Sequence, residues 1–344
     1  MNLVLLQWYS LNKRNLPWRE YKDPYKIWLS EVILQQTRVE QGLPYYNAFI
    51  NAYPTVEKLA NASEDEVLKL WQGLGYYSRA RNLHHAAKQV CAEFNSVFPT
   101  KYDDLIKLKG VGEYTASAIS SFSSNEKKPV LDGNVYRFIS RYYGIEDYIE
   151  LPSTKKKIME ILHDLIEEVP ADEFNQAIME FGAIQCKPAK VQCNECVFRT
   201  SCYAYKNNLV NTLPLKKKKT ERKKRYFNYF IVQSEAGYPI QKRTEKDIWK
   251  HLYEFPLIET DKSLDLQALF EDSECKKIFP KGAEKIELKY EQKHLLSHQE
   301  IYAKFWHVKE SSFLKYNAGK YVFIKDEEIM NFAFPRLIEQ YLQK

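Results

Sequence analysis

The stretch "LKGVGEYTASAIS", residues 108 to 120, decides the fold predicted for the first half of this chain. Gly110 and Gly112 predict a tight turn between two short helices, because glycine tolerates the dihedral angles that such a turn needs. The turn suits an ordinary corner between helices. It equally suits a loop that offers backbone N–H groups, at the start of the second helix, to a phosphate. The motif alone leaves both interpretations open.

Helical patterns extend on both sides of this turn. "SEDE" at 63 to 66 and "TKYD" at 100 to 103 have the form of capping boxes and predict two helix starts. Apolar periodicity predicts further helices over 27–41, 113–123, 132–142, 153–168 and 172–185. Residues 1–205 therefore predict an all-α domain.

The pattern changes after a basic run. "KKKKTERKKR" at 216 to 225 holds eight Lys or Arg against one Glu, a net charge of +7, so that the rest of a chain with a net charge of +6 is almost neutral. Such a run is usually a solvated linker, here predicted over 206–225, although it can also attract phosphate. Aromatic and β-branched runs then predict strands at 226–233, 237–243, 286–290, 300–308 and 320–324, with helices at 263–272 and 335–343. Residues 226–344 thus predict an α+β domain, and the fold class is multidomain, α followed by α+β.

Composition describes a globular protein long enough for two domains. Of its 344 residues 44% are hydrophobic and 28% charged. No apolar run reaches about 18 residues, so no membrane span is expected. The N-terminal "MNLVLLQWYS" has no preceding basic residue and predicts a first helix rather than a signal peptide. We expect a cytoplasmic protein.

Four of the six cysteines fall close together in the sequence, with the spacing C-x6-C-x2-C-x5-C: Cys186, Cys193, Cys196 and Cys202. Four thiolates suit tetrahedral zinc or an iron–sulfur cluster. Disulfides are disfavoured because nothing indicates secretion. Only one C-x2-C pair is present, which favours a cluster over a zinc ribbon, but spacing does not decide between them.

Two carboxylates are candidates for chemistry. Glu31 lies beside the apolar stripe of the helix in "WLSEVILQQTRVE", where a carboxylate is usually at the surface. If it is desolvated, its pKa rises and it can act as a general acid. Asp132 in "VLDGNVYRF" has the position of a helix N-cap, and it also suits the stabilisation of a cationic transition state. Together they would form the carboxylate pair that cleavage of a glycosidic bond commonly needs.

Residues 73 to 82, "GLGYYSRARN", interleave aromatic and basic residues. This mixture suits base stacking together with phosphate contact. A helix end whose tyrosines pack into the core would have the same composition.

Taken together, these motifs resemble the MutY-type adenine DNA glycosylases of the helix-hairpin-helix superfamily, which includes endonuclease III. The similarity extends over nearly the whole chain. It rests on the "GVG" turn, the four-cysteine pattern and several further motifs: "LPWR" at 16–19, "SEVILQQTRV" at 30–39, "GLGYYSRARN", "LDGNVYRF" and "NQAIMEFGAIQC" at 175–186.

The resemblance implies catalytic roles. Glu31 would protonate adenine N7 and later activate water, while Asp132, assisted by Asn134, would stabilise the developing oxocarbenium ion or trap it covalently. Tyr114 occupies the position at which bifunctional relatives carry a lysine. Because a phenol cannot form an imine with the sugar, the resemblance implies a monofunctional glycosylase with Tyr114 near the scissile sugar.

The resemblance also implies DNA contacts and a cofactor. Gln36 and Tyr76 would wedge into the duplex while adenine is flipped out. Gly110 and Gly112 would anchor the DNA backbone, and Arg19 would contact the pocket or the strand. The four cysteines would ligate a [4Fe–4S] cluster.

The C-terminal domain resembles the Nudix-like module that this family uses to sense 8-oxoguanine. "IWKHLYEFPLIET" at 248–260 and "FAFPRL" at 332–337 carry that similarity, whereas the Nudix catalytic box is missing, so no pyrophosphatase activity is expected. The family's Phe-Ser-His loop is Leu296-Ser297-His298 here. Ser297 and His298 would still hydrogen-bond an oxidised guanine, but the aromatic side chain is lost.

The resemblance therefore implies a monomer that excises adenine paired with 8-oxoguanine or guanine in double-stranded DNA, in base excision repair. A second reading is an endonuclease III-like glycosylase/lyase for damaged pyrimidines, against which Tyr114 and the C-terminal domain argue. A third is a non-catalytic lesion-binding protein, against which Glu31 and Asp132 argue.

Overall fold

The computed structural model describes residues 1–217, 221–234, 236–279, 285–309 and 319–344. These form two compact units: Met1–Ala62 with Asn82–Lys218, and Ser63–Arg81 with Lys219–Lys344. Residues 218–220 of the predicted basic linker lie outside the described residues.

Residues 1–217 contain helices and their connections. In chain order these are α1 Asn2–Asn12, α2 Pro24–Leu34, α3 Val39–Ala52, α4 Val56–Asn61, α5 Glu64–Trp71, α6 Ser78–Glu93, α7 Tyr102–Leu105, α8 Glu113–Ser124, α9 Gly133–Tyr143, α10 Pro152–Ile166, α11 Ala171–Glu180 and α12 Tyr203–Lys206. Short 3₁₀ helices occur at Pro17–Arg19 and Cys193–Glu195, and a π-helix follows α11 at Phe181–Gln185.

The helical core brings together segments that are distant in sequence. Helix α2 packs against α8, α8 against α11, and α11 against both α1 and α9. The buried cluster between α1, α9, α10 and α11 includes Leu5, Phe138, Leu162 and Phe174. This arrangement places side chains of α2, of α8 and of the N-terminus of α9 around one cavity.

The strands all lie after residue 222: β1 Lys223–Val232, β2 Tyr238–Lys242, β3 Tyr253–Glu254, β4 Leu257–Thr260, β5 Lys285–Leu295, β6 Gln299–Lys309 and β7 Val322–Ile324. Among the described residues they form one sheet in the order β4-β1-β6-β5 and another in the order β3-β2-β7. Strand β1 is parallel to β6, and the other pairs are antiparallel. Helices α13 Leu266–Glu271, α14 Ser273–Ile278 and α15 Arg336–Leu342 complete this part.

The two faces of the larger sheet have separate cores, as alternating side chains require. Phe227, Tyr229 and Phe305 pack with α15 on one face. Phe230 and Trp306 pack with α13 and α14 on the other.

Residues 63–81 belong to the C-terminal unit, whereas the sequence predicts them within a helical domain of residues 1–205. Side-chain bonds explain the difference: Glu64 accepts a 2.6 Å hydrogen bond from His251, Asp65 pairs with Lys242, and Gln72 donates to Glu339 over 2.6 Å. Several of the groups that hold α5 are therefore on the C-terminal part of the chain.

Three local predictions were wrong. The helix predicted over 27–41 ends at Leu34, and a new helix begins at Val39. The capping box predicted at 100–103 does not form, because Lys101 is the N-cap and the side chain of Glu126 accepts from the Tyr102 N–H instead. Strand β1 begins at 223, within the predicted linker, where Lys223 N donates to His298 O.

In the part of the chain that the structure describes, no helix is both long and apolar enough to cross a membrane.

Candidate active site

A cavity of about 770 Å³ in the N-terminal unit contains all four residues for which the sequence predicts a catalytic role. It is lined by Glu31 from α2, Tyr114 from α8, and Asp132 and Asn134 from the start of α9. Gln36 and Arg19 line it as well. The structure thus brings together two carboxylates that are 101 positions apart in the sequence.

Glu31 is buried in the wall of this cavity, with 8% of its surface exposed. Helix α2 is fixed at its start by Asp23, whose side chain accepts from the backbone N–H groups of Tyr25 and Lys26, just after Pro24. Burial raises the pKa of Glu31 to about 7, and the nearby charge of Asp132 adds to the rise. A hydrogen bond from Tyr114 and the charge of Arg19 oppose it. A carboxyl group that is half protonated at neutral pH can act as a general acid.

Asp132 has a different environment. It is the N-cap of α9, and its Oδ1 accepts 2.8 Å bonds from the N–H groups of Asn134 and Val135, while Oδ2 accepts a 2.7 Å bond from the Asn134 side chain. Burial raises the pKa of Asp132, and these three donors oppose the rise. The donors and the helix N-terminus favour the ionised form. The N-cap interpretation of Asp132 is confirmed, and its place in the cavity also allows the other interpretation, stabilisation of a cationic transition state.

Tyr114 contacts two other residues of the cavity lining, Glu31 and Met179. Its hydroxyl donates a 2.8 Å hydrogen bond to Glu31 Oε2 and lies 3.9 Å from Met179 Sδ. Burial, with the nearby carboxylates Glu31 and Asp132, raises the pKa of the phenol well above its ordinary value, so it stays neutral and donates.

The cavity wall also contains an ion-pair cluster that the sequence analysis missed. Glu180, whose side chain is 1% exposed, accepts from Arg14 over 2.8 Å and from Arg19 over 2.8 Å. These bonds overcome the effect of burial and lower the pKa of Glu180 to about 2. Arg19 therefore lines the pocket as the resemblance implies, but its charge is largely committed to Glu180. No spacing rule connects residues 161 positions apart.

Arg137 was also missed, because an arginine inside a helix carries no distinguishing pattern. Its guanidinium donates to Asn134 Oδ1 over 2.8 Å, to Gly182 O over 2.6 Å and to Cys186 O over 2.7 Å. Gly182 must be glycine here, since a Cβ would lie 2.6 Å from Asn134 O. Arg137 thereby connects the start of α9 to the first cysteine of the four.

The "GVG" turn lies outside the cavity lining and has the form predicted. Gly110 has φ +79°, and a Cβ there would lie 2.6 Å from Asn82 Cβ, so conformation and packing both require glycine. Gly112 is the N-cap of α8 in extended conformation, and a Cβ there would meet nothing within 4 Å. The open space at Gly112 leaves the N-terminus of α8 accessible to an anion.

Gln36 and Tyr76 both have left-handed backbone conformations, with φ of 56° and 46°. Non-glycine residues in this region are uncommon and concentrate at functional sites. Gln36 lies in the break between α2 and α3 at the cavity. Tyr76 belongs to the C-terminal unit and is 44% exposed.

In the C-terminal unit Tyr76 meets the predicted lesion-sensing loop. Its hydroxyl lies 2.6 Å from Ser297 Oγ. The loop is a tight connection between β5 and β6, closed by a 2.9 Å bond from Leu296 N to Gln299 O. Leu296 packs against the sheet core, and His298 is exposed. The side chain that replaces the family aromatic thus contributes to the core.

The four clustered cysteines line one small cavity, of about 20 Å³, together with apolar groups such as Phe138 and Phe198. Arg141 donates to Cys186 Sγ over 3.4 Å. Burial raises the pKa of Cys196 to about 11. Within the described residues, no three His, Cys, Asp or Glu side chains are placed closely enough to hold a metal ion as they stand. The donor set nevertheless fits a thiolate-bound metal centre, since four thiols share one apolar space beside a guanidinium.

Two known families match separate parts of the chain. Residues 29–168 match the HhH-GPD superfamily of base excision DNA repair proteins, and residues 228–344 match the NUDIX domain.

The adenine DNA glycosylase of Buchnera aphidicola subsp. Schizaphis graminum is 42% identical over 262 residues, which cover 75% of this chain and 74% of that protein. That of Buchnera aphidicola subsp. Baizongia pistaciae is 37% identical over 87% of this chain and 83% of that protein. The chain belongs to the adenine DNA glycosylase family. The predicted activity, DNA N-glycosylase action on adenine in base excision repair, is confirmed at this level.

The helical part of this adenine DNA glycosylase also resembles a solved structure. A thermostable thymine-DNA glycosylase aligns with a TM-score of 0.55 and 28% identity, over 60% of this chain and 94% of that one. The predicted fold class, a helix-hairpin-helix glycosylase fold followed by a Nudix-like α+β domain, is confirmed.

Proposed function

We propose that this adenine DNA glycosylase removes adenine paired with 8-oxoguanine, and with guanine, by hydrolysis and without strand cleavage. The observation that carries the proposal is the pairing of Glu31 and Asp132 in one cavity. Burial makes Glu31 a proton donor near neutral pH, while three donors oppose the effect of burial on the pKa of Asp132 and favour its ionised form. Bond cleavage at a sugar needs these two states together.

Glu31 protonates adenine N7, so that the bond from C1′ to the base breaks and adenine leaves as a neutral molecule. The sugar acquires oxocarbenium character, and the negative charge of Asp132 stabilises it. Water then adds to C1′ and returns its proton to Glu31, which restores the starting state. Asn134 takes part indirectly, by bonding to Asp132 through both its backbone and its side chain.

Tyr114 supports hydrolysis without a lyase step. The phenol remains protonated and donates to Glu31, and it has no amine with which to form an imine. Borohydride treatment during turnover should trap no covalent protein–DNA adduct. A trapped adduct would contradict this assignment and favour a glycosylase/lyase.

Recognition of the opposite base is assigned to the C-terminal unit. Ser297 and His298 extend from the tight β5–β6 connection, and the bond between Tyr76 and Ser297 fixes one side of it. Hydroxyl and imidazole groups can hydrogen-bond the oxidised edge of 8-oxoguanine. Leu296 makes no aromatic stack, so the hydrogen-bonding pair carries the discrimination.

Contacts that flip the base and bind the backbone are assigned to the strained and open segments. Gln36 and Tyr76 wedge into the duplex from their left-handed positions. The N–H groups at the start of α8, beside Gly112, bind a phosphate, and Gly110 supplies the turn that presents them. The proposed state is a monomer, because the cavity of a single chain already contains both carboxylates that the proposed reaction needs.

The four cysteines are proposed to ligate a [4Fe–4S] cluster. Their shared apolar cavity and the bond from Arg141 to Cys186 support this. When bound, the cluster would hold residues 186–202 in place as a structural centre. Iron and acid-labile sulfide analysis of the purified protein tests the proposal, with Cys196→Ser as the variant that should lose both. Stoichiometric zinc without sulfide would refute it.

Single-turnover excision tests the proposed function directly. Duplexes carry adenine opposite 8-oxoguanine, guanine or thymine, and products are analysed with and without alkali. We expect abasic product opposite 8-oxoguanine and guanine, with strand breaks only after alkali. Replacing Ser297 and His298 by alanine should reduce the preference for 8-oxoguanine over guanine more than it reduces excision itself. No product opposite 8-oxoguanine would refute the substrate, and equal losses on both duplexes would refute the recognition role.

A further inference from the structure

A hollow of about 480 Å³ lies on one face of the larger sheet in the C-terminal unit. Its described lining comes from β1, β5, β6 and the segment after β4. Farther along the same face, Phe230 and Trp306 are covered by α13 and α14. The hollow is therefore the part of this face that the two helices leave open, and its volume is typical of a ligand pocket.

A row of stacked side chains crosses the hollow. Strand register places Thr260, Tyr226, Tyr302 and Lys293 next to one another on four adjacent strands. The rings of Tyr226 and Tyr302 stack with centroids 5.2 Å apart and planes 17° apart, and Lys293 Nζ lies 5.3 Å from the centroid of the Tyr302 ring. At the other end, the neighbour of Tyr226 is the small side chain of Thr260. Tyr226 lines the hollow and is only partly buried, and a further ring stacked on its outer side would lie over Thr260.

The next row supplies polar groups. Asn228 is 2% exposed, and its amide Nδ2 makes long contacts of 3.4 Å to Ile258 O and 3.5 Å to Thr260 Oγ1. Both exceed the usual length of an N–H···O bond, so this donor is weakly satisfied. Lys304 donates one bond, of 2.7 Å, to Leu264 O, and an ammonium group has three protons to donate. A planar ring on Tyr226 would therefore have an amide and a cation beside it.

We infer that this hollow binds one unpaired nucleotide of single-stranded DNA, with the base stacked on Tyr226 and the phosphate next to Lys304. Lys293 borders the stacked rings but is paired with Glu300. Aromatic platforms bordered by cations bind single strands in this way, because every base has a face to stack and every nucleotide carries a charge. The lining belongs entirely to the C-terminal unit, so the site is distinct from the cavity that contains Glu31. It binds nucleic acid independently of adenine excision.

Photocrosslinking of the full chain tests this site by position. The probe is a short oligothymidylate with one 5-iododeoxyuridine, irradiated with the protein and mapped by peptide mass spectrometry. We expect the crosslink in the β1 or β6 peptide that contains Tyr226 or Tyr302. A duplex of the same sequence and an abasic oligomer of the same length should each compete at least about tenfold less well than the single strand. Crosslinks confined to other peptides, or equal competition by either competitor, would overturn the proposal.

Three variants separate stacking from folding. Tyr226→Ser removes the platform and should lower the crosslink yield at this site about tenfold, whereas Tyr226→Phe should retain it. Thr260→Tyr removes no part of the platform and fills the vacant ring position, so it should also lower the yield about tenfold. All three should keep wild-type excision of adenine and wild-type thermal unfolding. Unchanged yield in Thr260→Tyr would refute the assigned ring position even if Tyr226→Ser failed to fold.

Discussion

Replacing Tyr114 by phenylalanine should move the pH dependence of adenine excision to higher pH. The Tyr114 hydroxyl bonds to Glu31 over 2.8 Å and stabilises its ionised form. Without that bond the effect of burial is less opposed, and the pKa of Glu31 rises further above about 7. In the variant Glu31 is therefore protonated over a wider range of pH. Loss of this polar partner thus extends the pH range in which the acid can act.

The size of the change follows from the hydrogen bond. A bond to a charged group contributes about 1.5–3 kcal/mol, and one pKa unit corresponds to about 1.4 kcal/mol. The phenol also bonds to protonated Glu31, so part of this energy is common to both states. We therefore expect the pKa of Glu31 to rise by about one unit in Tyr114→Phe.

A ratio of rates is the clearest measurement. In the wild type the protonated fraction of Glu31 falls from about nine-tenths at pH 6 to about one-tenth at pH 8, so excision should slow about tenfold. In Tyr114→Phe the same ratio should be about twofold. Any loss of absolute rate from a missing contact with the sugar cancels in the ratio.

The assay is single-turnover excision on a duplex with adenine opposite 8-oxoguanine, quenched with alkali, across pH 5.5 to 9. Glu31→Gln serves as the control and should bind the duplex without excising. A ratio that stays near tenfold in Tyr114→Phe would refute the assigned hydrogen bond. A wild-type rate that increases through pH 7 would refute Glu31 as the acid.

Three further predictions concern stability and the "GVG" turn. Glu31→Gln should stabilise the fold at pH 8. Because the pKa of Glu31 is raised, the stability that its carboxyl group contributes is complete below pH 4.5 and is lost as the pH rises through about 7. The loss is about 3 kcal/mol. Urea unfolding should show this gain at pH 8 and little of it at pH 4.5; a gain of equal size at both would contradict it. Glu180→Gln should instead cost about 3 kcal/mol at pH 7, because it breaks a buried pair. Since the pKa of Glu180 is lowered to about 2, the difference in unfolding free energy between wild type and variant should be present above pH 4.5 and disappear as the pH falls toward 2. A difference that does not depend on pH would exclude the ion pair as its cause. Gly110→Ala should lower the free energy of unfolding by at least about 1–2 kcal/mol, because φ is +79°. Gly112→Ala should leave unfolding nearly unchanged but weaken duplex binding, and equal effects of the two on stability would refute the distinction.

The sequence predicted elements whose signals are local. The capping box at Ser63 forms as predicted, with reciprocal bonds to Glu66. The N-cap at Asp132 forms as well, because an aspartate followed by a helical pattern satisfies the first N–H groups wherever the helix is placed. Alternating aromatic and β-branched residues likewise indicated five strands of the C-terminal unit, but not the short strands β3 and β4.

The break after Leu34 could not be predicted in this way. "LQQTRV" contains neither glycine nor proline, and its periodicity continues through the break. The chain turns there because Thr37 N bonds to Leu34 O, and Gln35 donates to Thr115 on a distant helix. A tertiary contact thus overrides the local propensity and places Gln36 in a conformation that its sequence does not indicate.

Two glutamates in the same cavity wall show why charge state was equally inaccessible from sequence. Glu31 and Glu180 are both buried, yet burial raises the pKa of one to about 7, while two arginines lower that of the other to about 2. The fold commits Arg14 and Arg19 to Glu180 and leaves Glu31 with a phenol, a neutral partner whose hydrogen bond lowers the pKa of Glu31 too little to outweigh burial. Arg19 also lowers the pKa of Glu31 through its charge, and Glu180 lies within bonding distance of that charge. In the proposed mechanism the buried salt bridge would therefore contribute to the chemistry: by pairing with the cations beside the cavity, Glu180 would help Glu31 to carry a proton at the pH at which adenine leaves.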